Sequence, residues 1–465
     1  MSMRPKQADG KRRGGRGDGT TDAAVTVAPA RLAAFEILRR VEDEGAFASV
    51  LLAASLEELN AQDRALAYEL VLGTLRWQLW LDRLIEHYAR RGAQSLDAPV
   101  RRALRLGLYQ LRFLSRVPAR AAVNESVNLM RVSRLRSAAS FVNAVLRRAT
   151  REPDYDPVAA ISEPLERIAV ESSHPVWLIE RWAKAFGVEE AASFARSNNE
   201  SPPVAFRVGE DEERAAILDE LRAAGGVVEA SRVAPEAWRI EGAASSLRRL
   251  AREGRIYVQD EASQLVAHAL DAQAGESVLD VCAAPGSKTT HIAARTRGVR
   301  LIVAGDLYEH RLRTVREAGA RQRTGSLISA VALDATRVLP LTEGTFDRVL
   351  VDAPCTGTGT LRRNPEIRWR ITTSDIADLR ERQQRILVNA SRMTRVGGRL
   401  LYSTCSVERE ENEEVAASFL HQNGAFRRVL PPALAPFESA PGEARTWPHR
   451  EGSDGFFIAA FERRS

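Results

Sequence analysis

Two short motifs place thiols where strand-like segments end: Asp352-Ala353-Pro354-Cys355 and Tyr402-Ser403-Thr404-Cys405-Ser406. A thiol so placed is material for nucleophilic catalysis, in which a covalent intermediate divides one hard step into easier ones. A free thiol has a pKa of about 8.5, so only a few per cent is thiolate near neutrality. Its site must therefore supply positive potential or a base. Cysteines are more often small buried apolar groups. Two such motifs at neighbouring strand ends argue against that fate for Cys355 and Cys405, though spacing does not decide which of them attacks. For Cys282 the packed thiol is the preferred reading.

Upstream, Asp280-Val281-Cys282-Ala283-Ala284-Pro285-Gly286-Ser287-Lys288 joins a strand-like stretch to a helix-like one. Small residues allow close backbone approach, and free amides at a helix start hold a carboxylate. Such a turn could equally serve a nucleotide, but its glycine spacing is not that of a phosphate-binding loop. Asp306 ends the next strand-like stretch. It can accept from two ribose hydroxyls, or merely cap a helix. Lys288 is the only lysine after Lys184 in an arginine-biased chain, which hints at a fixed role. The segment after Cys355 carries Arg362 and Arg363, then Asn364-Pro365-Glu366-Ile367-Arg368-Trp369. Arginines beside a tryptophan can hold phosphates and stack on bases, or form a solvated loop with one anchoring ring.

With these motifs in this order, the sequence from about Ala30 onward resembles the Sun family of RNA cytosine-5 methyltransferases, and most closely its small-subunit ribosomal RNA branch. The resemblance implies S-adenosyl-L-methionine as methyl donor and a cytosine of 16S ribosomal RNA as substrate. Cytosine C5 is too weak a nucleophile to take a methyl group unaided. Thiolate addition at C6 turns the ring into an enamine, and elimination follows methyl transfer. DNA enzymes attack with the Pro-Cys thiol and the RNA family with the Thr-Cys thiol. The resemblance thus makes Cys405 the nucleophile, Cys355 the residue that assists adduct release and Asp352 the contact to base and cofactor. It places the Cys282 to Lys288 turn, Asp306 and Asp334 around the cofactor, although Ser287 stands where most members have a second glycine. It favours RNA contact for Arg362, Arg363, Arg368 and Trp369. A base inside a stack is out of reach, so a looped or flipped cytosine is implied. A transfer RNA cytosine-5 methyltransferase shares the catalytic motifs. A non-catalytic RNA-binding or antitermination factor is the reading from another class, and the intact cysteines speak against it.

The elements that must position these residues fall into blocks. Residues 1–26 are rich in Gly, Arg, Lys and Asp and cannot bury enough surface to offset ordering entropy, so a disordered basic tail is expected. From 27 to 150 apolar residues recur at helical spacing, as in Leu66, Leu70, Trp77, Leu81, Leu84 and Tyr88. Pro118 interrupts that pattern, and Asn124-Glu125 could open the next helix. This all-α bundle resembles the RNA-binding NusB fold, with Arg131, Arg134, Arg136, Arg147 and Arg148 as a basic face. A helical connector over 151–202 contains His174-Pro175-Val176-Trp177-Leu178 and Asn198-Asn199-Glu200-Ser201-Pro202-Pro203, both matching family landmarks. Residues 203–255 read as a small α+β segment, which the resemblance makes RNA-recognition-like. From 256 to 465 strands and helices alternate, which means a mostly parallel α/β sheet, Rossmann-like, with ligands beyond its carboxyl ends.

Bulk properties set the frame. The chain has 465 residues and a formal net charge of +6, room for two or three domains at roughly 150 residues each. The excess charge permits a polyanionic partner. Three cysteines without paired spacing suit a reducing compartment. The histidines are scattered, so no metal is expected. With neither a long apolar run nor a secretory signal, cytoplasmic residence without membrane attachment is expected. Oligomeric state is not specified, and a monomer is the default.

Overall fold

The computed structural model describes residues 26–465 apart from Glu57, Arg134 and Arg297. The expected tail up to residue 25, and Arg134 of the basic face, lie outside the described residues. The N-terminal block folds as helices Pro29–Glu44, Ala48–Ser55, Ala61–Arg76, Gln78–Ala89, Ala98–Phe113, Ala119–Val132 and Ala139–Arg151. Leu70, Leu81, Leu84 and Tyr88 enter its core, and Leu66 and Trp77 pack at the edge. Pro118, whose fixed φ suits a helix start, caps a helix that begins at Ala119. Asn124-Glu125 therefore lie within that helix rather than opening it. The connector contributes helices Pro164–Glu171, Val176–Phe186 and Val188–Ser197.

The small subdomain consists of β1 (Val204–Val208), helix Arg214–Ala223, β2 (Val227–Ala230), β3 (Ala237–Glu241), helix Ala244–Arg252 and β4 (Ile256–Val258). Its antiparallel sheet runs β2-β3-β1-β4. That β-α-β-β-α-β order is the ferredoxin-like arrangement, shared with RNA-recognition modules. The expected boundary at 256 needs correction. Ile256, Tyr257 and Val258 pair with β1, so the larger domain starts after Val258.

Among the described residues, the larger domain contains a nine-stranded sheet. Its strands are β5 (Ser277–Asp280), β6 (Leu301–Asp306), β7 (Ile328–Ala332), β8 (Phe346–Asp352), β9 (Thr394–Thr404), β10 (Phe426–Val429), β11 (Glu438–Ala440), β12 (Glu443–Thr446) and β13 (Phe456–Arg463). The order is β11-β12-β13-β9-β8-β5-β6-β7, with β10 also on β13. From β7 to β9 all pairs are parallel, and every pairing of β10 to β13 is antiparallel. The sheet is thus mixed, parallel only in the half that carries the motifs. Helices Glu261–Leu270 and Ser287–Arg295 pack on one face, Thr373–Met393 and Glu413–Gln422 on the other. The chain leaves β5 on one side, through β6 and β7, and returns on its other side as β8. The crevice between β5 and β8 is therefore a topological switch point, the usual ligand position in such sheets.

Candidate active site

Register sets the two cysteine motifs side by side. Asp352, the last residue of β8, lies opposite Ser403 in β9, so both motifs leave the sheet at the same end. Cys355 Sγ and Cys405 Sγ are 3.4 Å apart, and both cysteines are half-buried. The contact with Cys405, together with burial and the charge of Glu411, pushes the Cys355 thiol well above the ordinary range. At this distance either sulfur can donate to the other.

A cation faces this pair. Lys288 Nζ donates to Asp352 Oδ2 at 2.7 Å and lies 5.2 Å from the centre of the Phe456 ring. Burial disfavours the ammonium, but Asp352, Cys405 and Asp280 more than offset it, so the Lys288 pKa is raised. Ser403 Oγ donates to the other Asp352 oxygen at 2.8 Å. Beneath them burial lifts the Asp280 carboxyl to about 7, although Thr289 Oγ1 donates to it at 2.7 Å.

Glu411 holds both cysteine loops, and sequence reasoning overlooked it. It accepts from the Thr356 amide at 2.9 Å, Gln383 Nε2 at 2.9 Å and Ser406 Oγ at 2.5 Å. Tyr402 Oη donates to its carbonyl at 2.5 Å. Two glycines close the floor. Gly359 N donates to Cys405 O at 2.9 Å and Gly455 N to Gly359 O at 2.8 Å. A Cβ on Gly359 would sit 2.0 Å from Gly455 O, so no side chain fits there.

Beside the thiols opens a cavity of about 240 Å³. Cys282, Ala284, Asp306, Asp334, Asp352, Cys355 and Cys405 all line it, so the sequence-predicted acids and thiols converge. Leu307, Tyr308, Arg311, Arg382 and Ile386 line it too and are additions; Tyr308 and Arg311 follow Asp306 at a helix start, the one signal available for them. Asp306 accepts from the amides of Ala284 at 3.3 Å and Tyr308 at 3.2 Å, which fixes its carboxylate at the rim. Asp334 accepts from Thr336 Oγ1 at 2.6 Å, and that bond lowers its pKa. The turn divides its work. Cys282 and Ala284 face the cavity, and burial raises the Cys282 thiol well above the ordinary range. Pro285 lines a separate hollow with Tyr257. Gly286 has φ +101°, and a Cβ there would lie 3.1 Å from Val315 Cα. Ala283 lies under the cavity, its amide bonded to Gly305 O at 2.8 Å, and Ser287 opens the helix that carries Lys288.

The model of the 16S rRNA methyltransferase RsmB/F family matches residues 267–462. The NusB family model matches 28–151, and that of an RsmF/B-like ferredoxin-like domain matches 174–246. The probable ribosomal RNA small subunit methyltransferase B of Bacillus subtilis (strain 168) is 36% identical, covering 93% of this chain and 98% of its own. The chain belongs to the RsmB/F methyltransferase family. A further relative is the ribosomal RNA small subunit methyltransferase B of Pseudomonas putida, 36% identical over 92% of this chain and 97% of its own. The crystal structure of PH0851 superposes with a TM-score of 0.80 at 28% identity, covering 94% of this chain and 99% of that one.

Against that RsmB/F frame, the arginine-rich segment after Cys355 is corrected. Arg362 is 2% exposed and Arg368 is fully buried. Arg368 donates to Asn199 Oδ1 at 2.9 Å, Ser173 O at 3.1 Å and Asn198 O at 3.2 Å. Arg362 Nη2 donates to Gly452 O, and its carbonyl accepts from Arg76. Arg363 is held between Asp454 at 2.9 Å and Asp260 at 2.8 Å. Trp369 Nε1 donates to Leu75 O at 2.8 Å, and Arg370 reaches the carbonyls of Val41, Gly45 and Ala46. Most of these side chains satisfy carbonyls near helix ends and tie the catalytic domain to the helical domain and the connector, and Arg362 and Arg368 are thereby buried away from the surface. On the helical domain, Arg131, Arg136 and Arg147 line one groove with Asn124, Asn128 and Asn143. Arg148 turns away to Glu152 at 2.9 Å. Among the described residues no helix is long and apolar enough to cross a membrane.

Proposed function

We propose that this chain methylates C5 of a cytosine in 16S ribosomal RNA, with Cys405 as nucleophile and S-adenosyl-L-methionine as donor. The observation that carries the reading is the thiol pair. Burial and the contact with Cys405 favour the protonated thiol at Cys355, and we therefore assign the attack to its neighbour Cys405. Lys288 adds positive charge beside it, which favours the thiolate and the negative charge that builds on the base during addition. Asp352 keeps lone pairs for the exocyclic amine of a cytosine while Ser403 and Lys288 hold it in place. Addition at C6 removes the charge that held the Cys355 proton, which releases Cys355 to act on the adduct.

The donor supplies an electrophilic methyl group on a sulfonium. The cavity suits it: small residues at Cys282 and Ala284, and fixed carboxylates at Asp306 and Asp334 for hydroxyl and amino groups. The names of the relatives point to ribosomal RNA. Arg131, Arg136 and Arg147 form the surface we assign to RNA phosphates. A cytoplasmic enzyme follows from such a substrate.

The deciding experiment incubates Cys405→Ala and Cys355→Ala enzymes with 16S ribosomal RNA and S-adenosylmethionine. Denaturing gels then report covalent complexes, and nucleoside mass spectrometry reports 5-methylcytidine. Cys405→Ala should give neither product nor adduct. Cys355→Ala should accumulate protein–RNA adduct. Adduct from Cys405→Ala with none from Cys355→Ala would reverse the assignment.

A further inference from the structure

A second cleft, of about 270 Å³, lies where the small subdomain meets the methyltransferase domain. Arg207 of β1, Arg214 and Glu236 line it from the small subdomain, and His291 and Arg295 from the methyltransferase domain. Arg207 is 2% exposed, yet its hydrogen bonds go to neutral groups: Gln259 Oε1 at 3.1 Å, Gln322 Oε1 at 3.3 Å and Thr290 Oγ1 at 3.0 Å. Its guanidinium lies 4.8 Å from the centre of the Tyr257 ring. Other buried arginines have carboxylates, as Arg102 has Glu42, Arg105 has Asp82 and Arg363 has Asp454, whereas Arg368, like Arg207, donates only to neutral groups. A desolvated charge without a counter-ion is costly, and a cavity beside it leaves room for one. His291 gives a second, independent sign. It is 4% exposed, and its buried Nδ1 has no hydrogen-bond partner among the described residues. Arg295 stands exposed at the mouth.

We propose that this cleft binds a phosphate-type oxyanion, with Arg207 as the inner anchor, His291 beside it and Arg214 and Arg295 at the entrance. Guanidinium groups suit such a ligand because their forked N–H donors match its oxygens. Glu236 opposes it with one charge, against Arg207 and Arg295. The anion is a phosphodiester of the bound RNA or a free phosphate. The RNA source rests on the proposed function; the free source does not. His291 and Arg295 share helix Ser287–Arg295 with Lys288, so an occupant would brace the same helix that presents the ammonium to the thiols.

The full-length protein and two variants, Arg207→Gln and Arg295→Glu, test this. Thermal denaturation is followed in inorganic phosphate and in chloride at equal ionic strength. Affinity for a 16S ribosomal RNA transcript is followed against salt. Phosphate should raise the wild-type midpoint and not that of either variant if the free anion is the ligand. If RNA is the ligand, both variants should bind several-fold more weakly, with a salt slope reduced by about 1. If Arg207→Gln fails to fold, Arg295→Glu still decides, because it lies at the surface. The proposal is overturned if phosphate leaves the wild-type midpoint unmoved, or raises that of folded Arg295→Glu equally, and that variant also binds RNA with unchanged affinity and salt slope. Wild-type protein that binds no RNA would count against the proposed function, and the phosphate arm would still decide the cleft.

Discussion

Lys288 Nζ stands 2.7 Å from Asp352 Oδ2, tying the first turn of the helix after β5 to the end of β8 across the switch point. Lys288→Gln removes the cation that faces the thiol pair. A charge-assisted hydrogen bond contributes about 1.5–3 kcal/mol, so methyl transfer should fall about tenfold or more. The acidic limb of the pH–rate profile should move to higher pH, because the thiolate loses a positive charge that acts on it. An unmoved profile would make Lys288 a structural residue only.

Asp306→Ala should leave the fold intact and weaken S-adenosylmethionine binding by about 1.5–3 kcal/mol, the contribution of one charged hydrogen-bonding group. Calorimetry on the folded variant reads this directly. Unchanged affinity would remove Asp306 from the cofactor site.

Burial lifts Asp280 from 3.8 to about 7. Between those values the folded chain holds a proton that the unfolded chain has released. The contribution of this group to stability therefore declines as pH rises through that window and is constant above it. Asp280→Asn should flatten that part of the curve of denaturation midpoint against pH. If the slope is unchanged, Asp280 keeps its charge when folded.

Arg368→Leu leaves Asn199 and the carbonyls of Ser173 and Asn198 without their buried donor. Each unsatisfied group costs about 1–3 kcal/mol. The variant should melt at lower temperature and be cut sooner by protease within 151–203. Equal protease resistance would show that the domains hold together without this clasp.

Deleting the helical domain strips Trp369 and Arg370 of their partners, so such a truncation tests stability as much as RNA binding. Arg131→Gln with Arg147→Gln is the cleaner change, since both side chains are exposed. RNA affinity should fall and its salt slope should shrink by about 1 to 2, with cofactor affinity unchanged. Equal RNA affinity at matched salt would make the groove a solvated face.

Strand alternation and the types of residue at strand ends make the parallel half of the sheet, the thiol pair, the turn and Asp352 legible in sequence. Glu411 is not legible. It follows Arg409 and Glu410 in what reads as a solvated charged run, and only the fold buries it against two loops. Arg368 misleads for the converse reason. A charged loop after a catalytic motif reads as facing solvent, yet its acceptor at Ser173 lies 195 residues away in sequence. The antiparallel strands β10 to β12 escape notice because they are short and come from a stretch rich in proline. β3 and β4 are short as well, and β4 is read as part of the wrong domain until its pairing with β1 is seen.

The position of β13 has a consequence for the order in which this protein comes into being. Domains generally fold as units while the ribosome delivers the chain from its N-terminus. The helical domain and the small sheet have all their elements by residue 258. The catalytic sheet does not, because residues 456–463 form the outer neighbour of β9, which leads into Cys405. Until they emerge, β9 is an open edge. Gly455, which braces Gly359 under the Cys405 carbonyl, arrives only just before them. The nascent chain can thus display its helical domain, and the RNA surface assigned to it, well before it owns an assembled thiol pair. On the proposed function, the capacity to methylate comes last, after the RNA-facing parts are already in place.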